Sequence, residues 1–239
     1  MAFSYSAVWD DTVRLLKANS SLLSAVAGAF IVLPALIIAY MFPPPAPAAG
    51  TFINDLNAYY VSNAPWLLAA GVLEMMGVVV IQLLLFDRQS RLTVGGAISA
   101  ALALLPAYVG ANILAALMIG FGSMLLILPG VYLFGRLAPL AAVFAAEGRR
   151  GPIDALRRTF DVTRGHGWVV VGLIILVALA GLLLILALTW TVGSMLILLA
   201  GERIGGFLLL VLTAFAEGGL SVVLAVLYAA IYRRLASAD

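Results

Sequence analysis

The sequence predicts an all-α polytopic membrane protein, with six transmembrane helices and amphipathic elbow helices on the cytoplasmic side. Three observations predict it. Of 239 residues, 64% are apolar and only 10% charged, with a mean hydropathy of +1.16, so there is too little charge to cover a water-facing globule. The apolar residues gather into continuous runs of about 20, the length at which a helix rising about 1.5 Å per residue crosses a hydrocarbon core about 30 Å thick. The lysines and arginines flank those runs almost entirely on one side.

The same composition excludes other classes. Disordered chains are poor in apolar residues and rich in net charge, the reverse of what is seen here. With no cysteine, a disulfide framework, an iron–sulfur cluster and a thiolate metal site are all excluded. A single histidine, His166, makes a zinc site improbable, so neither metal nor cofactor is expected. A formal net charge of +2 is modest, and nucleic acid is not an expected partner.

Five runs meet the length requirement: Ser21 to Met41, Trp66 to Phe86, Tyr108 to Ile127, Trp168 to Val192 and Phe207 to Tyr232. A sixth, Val131 to Ala146, is shorter. It follows Leu128-Pro129-Gly130, where the Pro-Gly pair is expected to turn the chain back across. The runs are continuous rather than alternating, which excludes a β-barrel. Asp10 and Asp11 stand where the basic region of a signal peptide would be, so no cleaved leader is expected.

With six spans, eleven basic residues fall on one side: Arg14, Lys17, Arg88, Arg91, Arg149, Arg150, Arg157, Arg158, Arg164, Arg233 and Arg234. Only Arg203 falls on the other side, and Arg136 lies within a span. Both termini are therefore expected in the cytoplasm. Outside, Pro43-Pro44-Pro45-Ala46-Pro47 reads as an extended spacer. Thr51 to Asn63 is expected at the outer surface, with Tyr59, Tyr60 and Trp66 as interfacial aromatics.

Each odd-numbered span is preceded by a segment too short or too polar to cross. In Ser6 to Lys17, Trp9, Val13 and Leu16 form one stripe and Asp10, Arg14 and Lys17 the opposite side. Thr93 to Leu105 is a more apolar version closed by Pro106. The third begins at Pro152 and sets Ile153, Leu156 and Phe160 against Asp154, Arg157, Arg158 and Asp161, with Gly165 to end it. The single membrane domain, 1–239, thus parses as elbow, span, span over 4–90, 91–148 and 149–239. This is either a threefold structural repeat or the recurrence of short amphipathic connectors.

Three segments carry a family resemblance: Ser6-Ala7-Val8-Trp9-Asp10-Asp11-Thr12, the turn Leu128 to Leu133, and Ala155-Leu156-Arg157-Arg158-Thr159-Phe160-Asp161-Val162-Thr163-Arg164-Gly165. In length and order the chain resembles the YciC-like family of bacterial inner-membrane proteins. Its centre also looks like the membrane domain attached to some glycerophosphodiester phosphodiesterases. The resemblance implies six inner-membrane helices with both ends inside, and no reaction. Arg136 departs from relatives that are apolar at that place.

Three ionisable residues fall within spans that run from outside to inside: Glu74, Arg136 and Glu217, lying 8, 5 and 10 residues past the start of their spans. The helical rise converts these to depths of about 12, 8 and 15 Å, so the three could meet. A charge at mid-membrane costs about 2.5 to 3.5 kcal/mol on insertion scales, and a carboxylate is the natural remedy for Arg136. Two readings stand: Glu74, Arg136 and Glu217 line a polar pocket, or they form a buried pair that only fixes packing. Gln82, deeper in the second span, is expected to hydrogen-bond within the bundle.

Gly71, Gly77, Gly120, Gly122, Gly172, Gly181, Gly218 and Gly219 are expected where helices approach closely, and Pro34 and Pro139 where spans bend. The cluster Arg149, Arg150, Arg157, Arg158 and Arg164 suits anionic lipid headgroups, each basic residue contributing about 1 kcal/mol near a charged surface, or simply sets topology. His166, beside Trp168, reads as an interfacial anchor.

An intramembrane enzyme needs a nucleophile with a base, a liganded metal, or paired acids in reach of one another. Only Glu74 and Glu217 offer a pair, so enzymatic activity is not expected. The sequence favours a non-enzymatic membrane component that binds lipid or a partner in envelope homeostasis. The alternative is a small-solute or lipid transporter using the Glu74, Arg136, Glu217 pocket. Membrane lipids are the expected partners; oligomeric state is not readable from the sequence.

Overall fold

The computed structural model describes residues 4–45, 50–87, 92–148 and 151–237, and among these every regular element is helical. In chain order they are α1 (Tyr5–Ala18), α2 (Ser20–Met41), α3 (Phe52–Phe86), α4 (Val94–Leu125), α5 (Ile127–Leu137), α6 (Leu140–Glu147), α7 (Pro152–Val162) and α8 (Gly167–Ala236). Five segments are long and apolar enough to cross a membrane: α2, α3, α4, α5 with α6, and α8.

α8 is 70 residues long, about 105 Å if straight and more than three times a hydrocarbon core. It is not straight. At Gly201 the backbone turns to φ 77° and ψ 169°, a left-handed conformation open to glycine and strained for residues with a Cβ. The arms, 167–200 and 202–236, then run back along each other. Gly181 faces Leu220, Gly193 faces Leu209 and Gly205 faces Leu196, so paired positions sum to 401 or 402, the register of an antiparallel hairpin centred on Gly201. A Cβ on Gly205 would stand 2.5 Å from the Leu196 carbonyl oxygen, so only glycine permits this approach beside the turn.

α2 contains a π-helical stretch, Gly28–Val32, just before Pro34. Proline has no N–H to give to the preceding turn, and a π bulge is a common way to absorb the missing bond. The bulge packs inward: Ile31 lies against both Gly77 of α3 and Gly218 of α8, and Phe30 crowds Gly77.

The structure differs from the sequence expectations at three boundaries. The outer stretch Thr51 to Asn63 is helix continuous with its span, since α3 runs unbroken from Phe52 through Pro65 to Phe86. Tyr59 ties it to the end of α2 by donating to the Phe42 carbonyl at 2.9 Å, and Phe42 stacks on Trp66. The second elbow is not a separate element. α4 starts at Val94, where the Thr93 hydroxyl caps Gly96 N–H, and continues through Pro106 to Leu125, so two of the three elbows, α1 and α7, stand as helices of their own. The turn before the fourth apolar run lies at Leu126 (φ −160°, ψ 143°), not at Pro129-Gly130. Pro129 sits in the first turn of α5, where its missing N–H costs nothing, and Gly130 lets α5 pass over Gly122 and Ser123 of α4. Ala46 and Pro47 of the proline spacer lie outside the described residues.

The core gathers at the end of the bundle where α1, α3, α6, α7 and the last turns of α8 converge. Phe144 of α6 is fully enclosed and meets Tyr108 edge-on, and Phe86 meets Tyr232 the same way. Polar clamps fasten this end. Glu147 accepts from Arg158 Nε at 2.8 Å and from the Tyr232 hydroxyl at 2.7 Å, joining α6, α7 and α8. Arg233 donates to the Leu85 carbonyl while lying over the Phe86 ring, and Arg234 reaches Asp11 at 2.6 Å and the Ala7 carbonyl at 3.1 Å.

Candidate functional site

Of the predicted intramembrane charges, Glu74 and Glu217 share a level, whereas Arg136 lies near the start of α8, and the three form no pocket. α3 and the second arm of α8 run in the same direction, with Gln82 bonded to Ala225 and Phe86 against Tyr232. Gln82 and Ala225 are 143 positions apart, and so are Glu74 and Glu217 (217 − 74), two turns further along. Phe30, Ile31 and Val32 of α2 pack against Gly77 and Gly218 there, and both carboxylates are exposed.

Arg136 pairs with neither. Its guanidinium donates from Nε to the Thr163 hydroxyl at 3.1 Å and from Nη2 to the Phe160 carbonyl. It also lies 4.9 Å from the Phe160 ring centroid and 5.8 Å from that of Tyr132. The planar cation is held between two aromatic faces and a helix-terminal carbonyl, a satisfied environment that needs no carboxylate. The expected three-charge pocket is therefore not assembled, and Arg136 locks α5 to the turn between α7 and α8. Gln82, wholly buried, donates from Nε2 to the Ala225 carbonyl at 2.7 Å, and its Oε1 has no partner among the described residues.

Of the arginine cluster, Arg149 and Arg150 lie outside the described residues. Arg157 and Arg164 are exposed, while Arg158 is engaged with Glu147. The buried face of α7 is Ala155, Leu156, Thr159 and Val162; Ile153, expected on that stripe, is exposed. The first residue of this helix is Pro152, and Gly165 takes a left-handed φ of 76° in the turn that follows.

The glycines divide. A Cβ would collide at Gly77, Gly122, Gly172, Gly181 and Gly218, but Gly71, Gly120 and Gly219 face open space. Close approaches also occur at Gly130, Gly135, Gly167, Gly193 and Gly205. A lone glycine in an apolar helix carries no sign of which face it occupies, so sequence could not sort them.

Gly219 faces open space where it lines a cleft between helices. A cleft of about 770 Å³ runs between the two arms of α8, walled by residues from Leu173 to Leu188 on the first arm and from Phe215 to Val223 on the second. Along the first arm that is about 22 Å at the helical rise. Tyr5, Ser6 and Trp9 of α1 close one end and provide its few polar atoms. A second cleft of about 320 Å³ lies between α2 and the second arm, lined by Leu16, Ser20, Ser24 and Gly28 on one side. Phe215, Gly219 and Val223, one residue per turn, are the floor of both. Sequence reasoning missed these clefts because they lie between helices, one between the arms of α8 and one between α2 and the second arm, a tertiary property. The amphipathic stripe on α1, with Trp9, was their only legible trace.

The clefts offer an apolar, laterally open surface with hydroxyls at one end, which suits a hydrocarbon chain better than a polar solute. Among the described residues no group of three or more His, Asp or Glu is placed to hold a metal ion. Compared with known protein families, curated proteins and solved structures, the chain matches none of them.

Proposed function

We propose that this is a non-enzymatic integral membrane protein that binds membrane lipid, a component supporting envelope homeostasis in the bacterial inner membrane. The single observation that carries the reading is the 770 Å³ cleft between the arms of α8. Its first-arm wall runs about 22 Å and the facing wall about 12 Å, against one leaflet's half of a hydrocarbon core about 30 Å thick, so an acyl chain can lie along it. Tyr5, Ser6 and Trp9 stand at the end where an interfacial helix meets headgroups.

In the proposed topology the chain crosses six times with both ends cytoplasmic. The doubling of α8 at Gly201 supports the sixth crossing, and the one-sided basic residues support the orientation. The resemblance to YciC-like proteins supports the inner membrane as the location.

The test is native mass spectrometry of the protein purified in mild detergent. Wild type should retain phospholipid through steps that strip annular lipid. Gly219→Leu, which projects a side chain into open space on the cleft floor, and Ala180→Phe on its wall should lose it. Retention of lipid by both variants would refute the reading. Proton-dependent solute uptake into liposomes, abolished by Glu217→Gln, would replace it with transport.

A further inference from the structure

We infer that the bound lipid is a two-chain phospholipid that straddles the second arm of α8, one acyl chain in each cleft. This rests on the lipid-binding reading above and specifies its ligand.

The two clefts flank the second arm of α8 and share a wall. Phe215, Gly219 and Val223 recur at every fourth position, so they form a single stripe along the second arm, and both clefts share all three. The larger lobe opens from that stripe toward the first arm of α8, the smaller toward α2. At Gly219, the centre of the stripe, a Cβ would meet nothing within 4 Å, so between the Phe215 and Val223 side chains there is a gap through which the lobes communicate. On the α2 side Gly28 likewise has nothing within 4 Å, leaving that lobe open along its wall.

α1 spans the same end of both lobes. Its first turns supply Tyr5, Ser6 and Trp9 to the larger, and its last turn supplies Leu16 to the smaller, followed by Ser20 at the start of α2. Lys17, an exposed cation, directly follows Leu16 in the last turn of α1 and precedes Ser20 by three residues, while Arg14 pairs with Asp11. A single-chain lipid would fill one lobe and leave the other bare. A phospholipid with two chains fills both while its phosphate stays near Lys17 and the Ser20 hydroxyl, where a cation and a donor favour it. α1 is held in this position by Arg234, which bonds Asp11 and the Ala7 carbonyl.

The experiment is a competition between dioleoylphosphatidylglycerol and oleoyl-lysophosphatidylglycerol, offered in equal amounts to delipidated protein and read as the ratio of their 1:1 adducts by native mass spectrometry. Wild type should favour the two-chain lipid at least tenfold. Gly28→Leu and Ser24→Phe, which fill only the smaller lobe, should bring the ratio close to one while total adduct stays. Two substitutions on different turns guard against misfolding of either, and each is checked by its thermal transition. An unchanged ratio in both variants overturns the two-chain assignment but leaves lipid binding standing. Loss of preference without loss of lipid confirms it, and adducts that persist in Ala180→Phe and Gly219→Leu sink the underlying reading instead.

Discussion

Gln82 donates to the backbone carbonyl of Ala225 across 2.7 Å, a bond between two enclosed residues that joins α3 to the second arm of α8. It uses only half of the amide, since Oε1 is enclosed and has no donor among the described residues. The bond gained and the acceptor left unsatisfied therefore oppose each other. Gln82→Leu is expected to change stability by no more than about 1 kcal/mol, because interhelical hydrogen bonds in membranes average well under that. Gln82→Glu, which introduces an ionisable acid at the same enclosed place, should lower the thermal transition in detergent distinctly. A large loss for Leu would show that the register depends on this one bond.

Arg136 should behave as a clamp with specific geometry. Arg136→Lys keeps the charge but loses the planar contact with Phe160 and Tyr132 and one of two hydrogen bonds, and is expected to cost about 1–3 kcal/mol. A double-mutant cycle of Arg136→Leu with Glu217→Gln should show coupling below about 0.5 kcal/mol. Strong coupling would restore the three-charge pocket.

The glycines make opposite predictions at sites that look alike in sequence. Gly218→Ala meets Val32, and Gly135→Ala brings a Cβ to 3.0 Å from the Val171 Cα; each is expected to destabilise by about 1–3 kcal/mol. Gly71→Ala and Gly120→Ala meet nothing and should stabilise their helices by about 0.5–1 kcal/mol. Thermal melts of the four variants would distinguish the two groups, and a uniform response would contradict the packing described.

The two adjacent arginines of α7 should separate. Arg157, exposed, is expected to tolerate Arg157→Glu with little change in stability but weaker association with anionic vesicles. Arg158→Glu places a second acid beside Glu147 and should lower the thermal transition in any lipid. Equal effects of both on vesicle binding alone would mean the Glu147 clamp contributes nothing.

The proposed topology is open to a clean labelling test because the chain has no cysteine. A cysteine at Glu202, beside the hairpin turn, should react with a membrane-impermeant maleimide on intact cells. One at Ser237 should react only after lysis. Reaction of both from outside would exclude the six-crossing arrangement.

The sequence by itself determined the membrane class, most of the apolar runs and the start of α7 at Pro152. These depend on local quantities: hydropathy summed over a bilayer's thickness, and the fixed φ and missing N–H of proline. Its element boundaries failed at Pro106, read as closing the second elbow, and between Asn63 and Trp66, where the outer stretch was set apart from its span. In α3 and α4 the helix passes Pro65 and Pro106 because the apolar backbone has no better partner than its own turns. Tertiary structure alone decided which charges meet. Arg136 found Thr163 and Phe160, Glu147 found Arg158 and Tyr232, and Glu74 and Glu217 stayed exposed, because a side chain's partner depends on which faces other helices bring to it. The clefts beside the second arm of α8 belong to the same category: a gap between helices is set by the side chains that hold them apart, and no stretch of one chain encodes it locally.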